Sequence, residues 1–154
     1  VGTELTPQAR QWTERNVARF GVSSSLQVVE PRGGLDASRP FALAMPEGGY
    51  DFWISNPPYL DRTRSAEVQS AVRVHEPAEA LFAPKGDPLY FYAEMAHSAS
   101  SLVRDGGWIW VEIPHERAPE IEAIFRGPGL SFTEVKIHAD LTGRPRVLSA
   151  RVKA

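Results

Sequence analysis

Two short runs constrain the fold of this chain most: YDFWIS (Tyr50–Ser55) and WIWVEI (Trp108–Ile113). Neither alternates cleanly between apolar and polar residues, which is the pattern of strands covered on both faces. Between them lies a strong helical segment, PLYFYAEMAHSASSLVR, opened by Asp87 and Pro88 and stopped by Gly106–Gly107. Upstream, VGTEL reads as a short strand. Thr6 stands at an N-cap and Pro7 at the first helical position of PQARQWTERNVARF, with Ala9, Trp12, Val17 and Phe20 near one face and Gly21 closing it. LQVVE (26 to 30) reads as the next strand and 31 to 49 as loop, with a turn of helix at 40 to 45. Residues 62 to 73 read as a loose helix and HEPAEALFAPKG as a loop with turns. A helix near 116 to 126, stopped by Gly-Pro-Gly, precedes two closing strands near 131 to 138 and 146 to 153. Strands alternating with helices predict an α/β sheet with helices on both faces. The last two strands have no helix between them, which predicts a hairpin and one antiparallel strand at an edge.

The bulk properties narrow the class. A chain of 154 residues is one domain's worth, and 42% apolar with 23% charged residues is ordinary for a globular protein. A formal net charge of −2 points to no general polyanion binder. The absence of cysteine excludes a disulfide framework and thiolate metal sites. No apolar run approaches the roughly 20 residues that cross a bilayer, and no signal peptide opens the chain, so the cytoplasm is the default compartment. The chain begins on Val1, inside what already reads as a strand, and is expected to be cut into rather than naturally begun.

The stretch ISNPPYL (54 to 60) carries the chemistry. Asn56-Pro57-Pro58-Tyr59 follows a strand, at the carboxyl end where open α/β sheets bind ligands. Pro57 biases Asn56 away from helical geometry, and two fixed φ angles make a rigid platform. Neither proline has an N–H, so the Pro57 carbonyl can point into the cleft beside the Asn56 side-chain oxygen. Two adjacent acceptors suit an NH₂ group, which offers two donors. Tyr59 can lie flat against the planar group behind that nitrogen. The residues leave open whether the group is a protein amide or a nucleobase amine.

This motif after its strand resembles the amino-group methyltransferases that use S-adenosylmethionine. More narrowly, the chain resembles the HemK/PrmC family, the protein-glutamine methyltransferases of peptide chain release factors. YDFWISNPPYL is similar to that family's fourth strand and motif. VHEPAEALF followed by GDPLYFYAEMAHSASSLVRDGGWIWVEI is similar to its downstream block, helix and next strand. DLTGRPRVLSARV is similar to its terminal hairpin, and TELTPQARQWTERNVARFG to the segment after its glycine motif. The resemblance covers nearly the whole chain. NPPY is shared with nucleic-acid methyltransferases; Glu76-Pro77 and the closing Gly-Arg-x-Arg-Val pattern narrow the match.

The resemblance implies a Rossmann-like class I methyltransferase sheet, mostly parallel with an antiparallel C-terminal hairpin. No G-x-G-x-x-G is present: the Gly-Gly pairs at 33–34, 48–49 and 106–107 and the Gly-Pro-Gly match none. In the family that loop and the first strand precede the segment matching Val1. Residues 1–154 are therefore expected to form a single truncated methyltransferase domain. It would lack the first strand, the Gly-rich motif and the N-terminal helical domain, and be inactive alone. The implied reaction is methyl transfer from S-adenosylmethionine to the glutamine amide nitrogen of a release factor's Gly-Gly-Gln loop. Asn56, Pro57, Pro58 and Tyr59 carry the catalysis, with Asn56, Pro57, Tyr59 and Glu76 against the substrate. Glu4, ending the second family strand, accepts from ribose hydroxyls; Glu30 lies near the adenine, and Asn56 also faces the cofactor.

The alternative is an amino methyltransferase of adenine or guanine, with Tyr59 stacked on a flipped base. The acidic balance and the lack of a basic stripe weigh against it. A non-catalytic binding fragment is a third reading. Glu112 is read as structural. His75, His97, His115 and His138 have no ligand spacing, so no metal is expected. Arg62, Arg64, Arg73 and Lys85 are read as solvated charges flanking the motif. Trp108, Trp110, Tyr90, Phe91 and Tyr92 are read as packing between helix and sheet.

Overall fold

The computed structural model describes residues 1–29, 46–63 and 75–153. The turn expected at 40 to 45, and the helix expected at 62 to 73 beyond Thr63, fall outside them. The chain divides into two compact units, Val1–Ala44 and Met45–Ala154.

In the first unit, β1 (Gly2–Thr3) pairs in parallel with β2 (Val28–Val29), joined through helix α1 (Pro7–Arg19). The helix starts as the capping logic requires: the Thr6 side chain accepts from the Ala9 N–H at 3.2 Å, and Pro7 spends its missing donor where the helix has no use for one. Gly21, at φ +68°, takes the left-handed turn that ends it. Of the expected apolar face, Val17 is buried while Trp12 and Phe20 are exposed.

The second unit holds β3 (Tyr50–Ser55), helix α2 (Ala78–Leu81), helix α3 (Tyr90–Leu102), β4 (Val103–Glu112), helix α4 (Ala118–Phe125), β5 (Phe132–Ala139) and β6 (Pro145–Val152). The sheet order is β3-β4-β6-β5. β3 is parallel to β4, and β6 is antiparallel to both β4 and β5. The predicted hairpin is present, but its antiparallel strand is the interior β6, because β6 rather than β5 docks on β4. The edge strand β5 then runs with β3 and β4.

The boundary between α3 and β4 differs from expectation. The helix closes at Leu102, the Val103 N–H donating to the Ala99 carbonyl, and Val103 is already extended. The Gly106–Gly107 pair lies inside the strand. Pairing jumps from Tyr50–Val103 to Phe52–Trp108, so the intervening residues form a bulge. Gly106 has φ +74°. At Gly107 a Cβ would sit 2.6 Å from Val103 Cγ1 and 2.9 Å from the Asp51 carbonyl, so no larger residue fits.

Side-chain parity along β4 decides where the core lies. Ile109 and Val111, with Leu148 and Ala150 opposite them on β6, are fully buried, as are Tyr92, Met95, Ile121 and Phe125 from α3 and α4. The two helices also touch each other, and so cover one face of the sheet. Trp108 and Trp110 point to the other face and are half-buried, contrary to the expectation that they pack between helix and sheet. Their register partners Phe52 and Ile54 share that face and are 62% and 78% exposed. Within the second unit no described helix covers it, so the expectation that β3 is buried on both faces is not met among the described residues. Trp110 stacks instead on His138, centroids 5.1 Å apart, and His138 Nε2 lies 2.8 Å from the buried Ser149 hydroxyl.

Candidate active site

Pairing of β3 with β4 ends at Ser55, opposite Val111. Asn56, Pro57, Pro58 and Tyr59 follow in irregular backbone, and Leu60 is fixed again: its N–H donates to the Leu81 carbonyl at 3.0 Å, and its carbonyl accepts from Ala83 at 3.0 Å. The motif thus spans two anchored points, and two of its four residues have φ held by a ring. Asn56 is exposed, and its carboxamide makes no hydrogen bond among the described residues. Pro57 is buried; Pro58 and Tyr59 are half-buried.

Leu60 bridges in parallel to Phe82. That bridge brings the 76 to 83 block onto the residue after the motif, through α2. Glu76 itself is exposed. Arg62 lies over the Phe82 ring at 5.3 Å. Arg64 and Arg73 lie outside the described residues.

Three further residues converge here that sequence reasoning did not assign to the site. Tyr92, fully buried on α3, donates its hydroxyl to the Glu112 carbonyl at 3.1 Å and so ties the helix to the tip of β4. The Glu112 carboxylate faces Arg146 at 3.7 Å, in keeping with its structural reading. Arg146 also meets Asp140 of the β5–β6 turn at 3.4 Å. Burial pushes the Tyr59 phenol above its ordinary value; the charges of Glu112 and Glu116 add to this and Arg146 opposes it. Burial likewise drives Tyr92 up, with a smaller push from Tyr59. The motif leaves β3 just past Ser55, whose register partner is Val111, one residue before Glu112 at the end of β4. Tyr92 and Glu112 come from the consecutive elements α3 and β4, and Arg146 from the distant β6. The sequence signals were Glu112 at the end of a strand, read as structural, and the closing Gly-Arg-x-Arg-Val pattern, which only narrowed the resemblance.

In the first unit, Glu4 follows β1. Its N–H donates to the Val29 carbonyl at 3.1 Å, and its Oε1 accepts from the Thr13 hydroxyl at 2.7 Å, which fixes the carboxylate's direction. Glu30 lies outside the described residues. The histidines are dispersed: His97 on the Ala93 carbonyl, His115 beside Glu116, His138 on Ser149, His75 exposed. Among the described residues no group of three or more His, Asp or Glu could hold a metal ion, and no helix is long and apolar enough to cross a membrane.

No family model matches the chain. Individual proteins do. The release factor glutamine methyltransferase of Cereibacter sphaeroides is 35% identical over 154 residues, all of this chain and 51% of that protein. The protein of the same name from Chlorobaculum tepidum is 34% identical over 149 residues, 97% of this chain and 48% of its own length. The Mycolicibacterium smegmatis one is 31% identical over 150 residues, 97% and 49%. The chain belongs to the release factor glutamine methyltransferase family. It spans about half the length of the curated relatives it matches. A methyltransferase structure from Pyrococcus furiosus superposes with a TM-score of 0.64 at 18% identity, covering 99% of this chain and 61% of that one. At that identity the likeness concerns the fold: an α/β Rossmann-like methyltransferase sheet with an antiparallel C-terminal hairpin.

Proposed function

We propose that this chain is part of the catalytic domain of an S-adenosylmethionine-dependent protein-glutamine N-methyltransferase, acting in the cytoplasm on the Gly-Gly-Gln loop of peptide chain release factors. The observation that carries the reading is the Asn56–Tyr59 platform: a stiff segment at a strand's carboxyl end, with an exposed carboxamide that makes no hydrogen bond among the described residues, in a chain of this family. Glu4, aimed by Thr13, suits ribose hydroxyls, which donate to a carboxylate. Glu30, Asn56 and Glu76 keep the roles the family implies. When bound, S-adenosylmethionine supplies an electrophilic methyl carbon on a sulfonium.

An amide nitrogen is a weak nucleophile because its lone pair is delocalised into the carbonyl. The Asn56 oxygen and the Pro57 carbonyl accept the two amide N–H bonds. That holds the lone pair toward the methyl carbon and stabilises the positive charge that grows on nitrogen. Tyr59 holds the amide plane. With a donor bound, the nitrogen would take the methyl group as the sulfonium gives it up, and the amide proton would then leave to solvent, Asn56 and Pro57 keeping the nitrogen in place. Placement accounts for much of the barrier lowering, since effective molarities are worth roughly 7–11 kcal/mol. This segment alone binds the methyl donor weakly, because β3 presents an unpaired edge among the described residues.

The test is methyl transfer from a labelled donor by the full-length protein to a release factor, to that factor with its loop glutamine replaced, and to RNA and DNA. Label is expected on the intact factor alone. Asn56→Ala is expected to abolish turnover while donor affinity falls only a few-fold. Label on nucleic acid only, or near-normal turnover in that variant, removes the reading.

A further inference from the structure

The β5–β6 hairpin stands past the end of the sheet on the side where the motif lies. Ser55, the last residue of β3, pairs with Val111, and Val111 pairs with Leu148 of β6. β6 begins at Pro145, three residues before Leu148, where it pairs with Ala139. At about 3.4 Å of rise per residue, the hairpin overshoots the level of Ser55 by roughly 10 Å before its turn begins. Two strand spacings, roughly 10 Å, separate β6 from β3 across the sheet. The turn, residues 140 to 144, is therefore a rim beside the mouth of the candidate site. It is held from within. Asp140 Oδ1 accepts from the Thr142 N–H at 2.8 Å, the Thr142 hydroxyl at 2.7 Å and the Arg144 N–H at 3.1 Å. The Asp140 N–H donates to the Arg144 carbonyl at 2.8 Å, and the Gly143 N–H donates to the Asp140 carbonyl at 2.9 Å. The side chain of Leu141, inside this stiff turn, is fully exposed. Arg144 is exposed as well and makes no ion pair among the described residues. Single exposed apolar residues are common on surfaces. What sets Leu141 apart is that local bonds hold it rigidly in water, at the rim of the site. An anchor that is already ordered loses little entropy on docking.

We infer that the β5–β6 turn is a docking rim for the methyl-accepting protein, with Leu141 as its apolar anchor and Arg144 as the cation beside it. This rests on the function proposed above and extends it from the glutamine to the surface that carries it. The pair sets the chemistry of the partner: a shallow apolar hollow for the leucine with a carboxylate next to it, outside the loop that enters the site. A folded protein offers both. A nucleic-acid backbone meets Arg144 but leaves Leu141 in water, and a short peptide around the glutamine does not reach the turn. One leucine falls far short of the roughly 800 Å² that each partner of a stable dimer buries, so a second copy of this chain is not the occupant. A small anchor suffices where the partner is already held by a side chain in the site. The rim acts on capture of the acceptor and not on the methyl transfer, because it stands away from the reacting atoms.

The experiment uses the full-length protein with Leu141→Ala, Leu141→Met and Arg144→Glu, all at exposed positions where the fold is expected to hold. Turnover is split into kcat and KM on an intact release factor and on a short peptide bearing the Gly-Gly-Gln loop, and affinity for the factor is measured by calorimetry. Leu141→Ala is expected to raise the KM and the dissociation constant for the factor about fivefold or more. Leu141→Met is expected to keep most of the affinity, and Arg144→Glu to weaken it about threefold or more in low salt. For all three, kcat at saturation, KM for the methyl donor and turnover of the peptide are expected within about twofold of the parent. Unchanged affinity for the factor in Leu141→Ala overturns the inference, as does a loss expressed in kcat or equally on the peptide. A change in the sedimentation of Leu141→Ala by itself assigns the turn to a second copy and overturns it too. If the unaltered protein labels only nucleic acid, or neither labels nor binds the factor, the proposed function fails and the docking rim with it. If it labels the factor and Leu141→Ala binds as well as the parent, the docking rim alone fails.

Discussion

Tyr92→Phe isolates the bond that holds the tip of β4. Tyr92 is fully buried, and phenylalanine keeps its ring, so the substitution removes one oxygen and opens almost no cavity. What is lost is the hydroxyl's bond to the Glu112 carbonyl. Its length of 3.1 Å is beyond the best O–H···O range, which places it toward the weak end. A bond of that quality, together with the acceptor it leaves behind, is worth about 1 kcal/mol. For a chain of this size that lowers Tm by roughly 2–4 °C. Tyr92→Ala removes the ring as well and is expected to cost about 3–5 kcal/mol, as large aromatic truncations do. Thermal melting near neutral pH, followed by near-UV circular dichroism, compares the two. A phenylalanine variant that melts within about 1 °C of the parent shows that the hydroxyl bond anchors nothing. One that melts with the alanine variant refutes the reasoning from the other side, since ring packing would then contribute nothing.

Two further outcomes follow from local geometry. Gly107→Ala places a Cβ against Val103 Cγ1 and the Asp51 carbonyl, and part of that contact is backbone that has nowhere to move. A destabilisation of about 1–3 kcal/mol is expected in denaturant melts, and an unchanged midpoint contradicts the bulge as drawn. Asp140 is pulled down from 3.8 to about 2, first by the Thr142 hydroxyl and then by the Arg144 N–H and the other donors of its turn. A depressed acid contributes its stability above its unfolded value and loses it as pH falls. The hairpin turn is therefore expected to hold above about pH 4 and to loosen between about pH 4 and 2. A carboxyl 13C titration of Asp140 with a midpoint near 4 contradicts the turn's hydrogen bonding.

What the sequence made legible divides along a physical line. Short-range rules did well: Thr6 and Pro7 start α1, YDFWIS is β3 residue for residue, and two adjacent prolines mark the platform, because each depends on neighbours in the chain. Pattern rules failed where they lacked contrast. WIWVEI is apolar at almost every position, so nothing in it says that Ile109 and Val111 face the helices while Trp108 and Trp110 face away. Gly106–Gly107 looked like a helix stop, but Val103 had already left the helix, and the glycines serve the close approach of β4 to Asp51 instead. The site divides in the same way. Asn56 to Tyr59 could be put forward as a candidate from the sequence because they are contiguous. Arg146 becomes a neighbour of Glu112 only once β6 inserts beside β4 in antiparallel sense, and that insertion was itself misplaced at the edge. The arginine of the closing pattern acquires a meaning from the sheet order: had β5 docked on β4, the start of β6 would lie a strand farther from Glu112, and no single guanidinium would reach both Glu112 and Asp140.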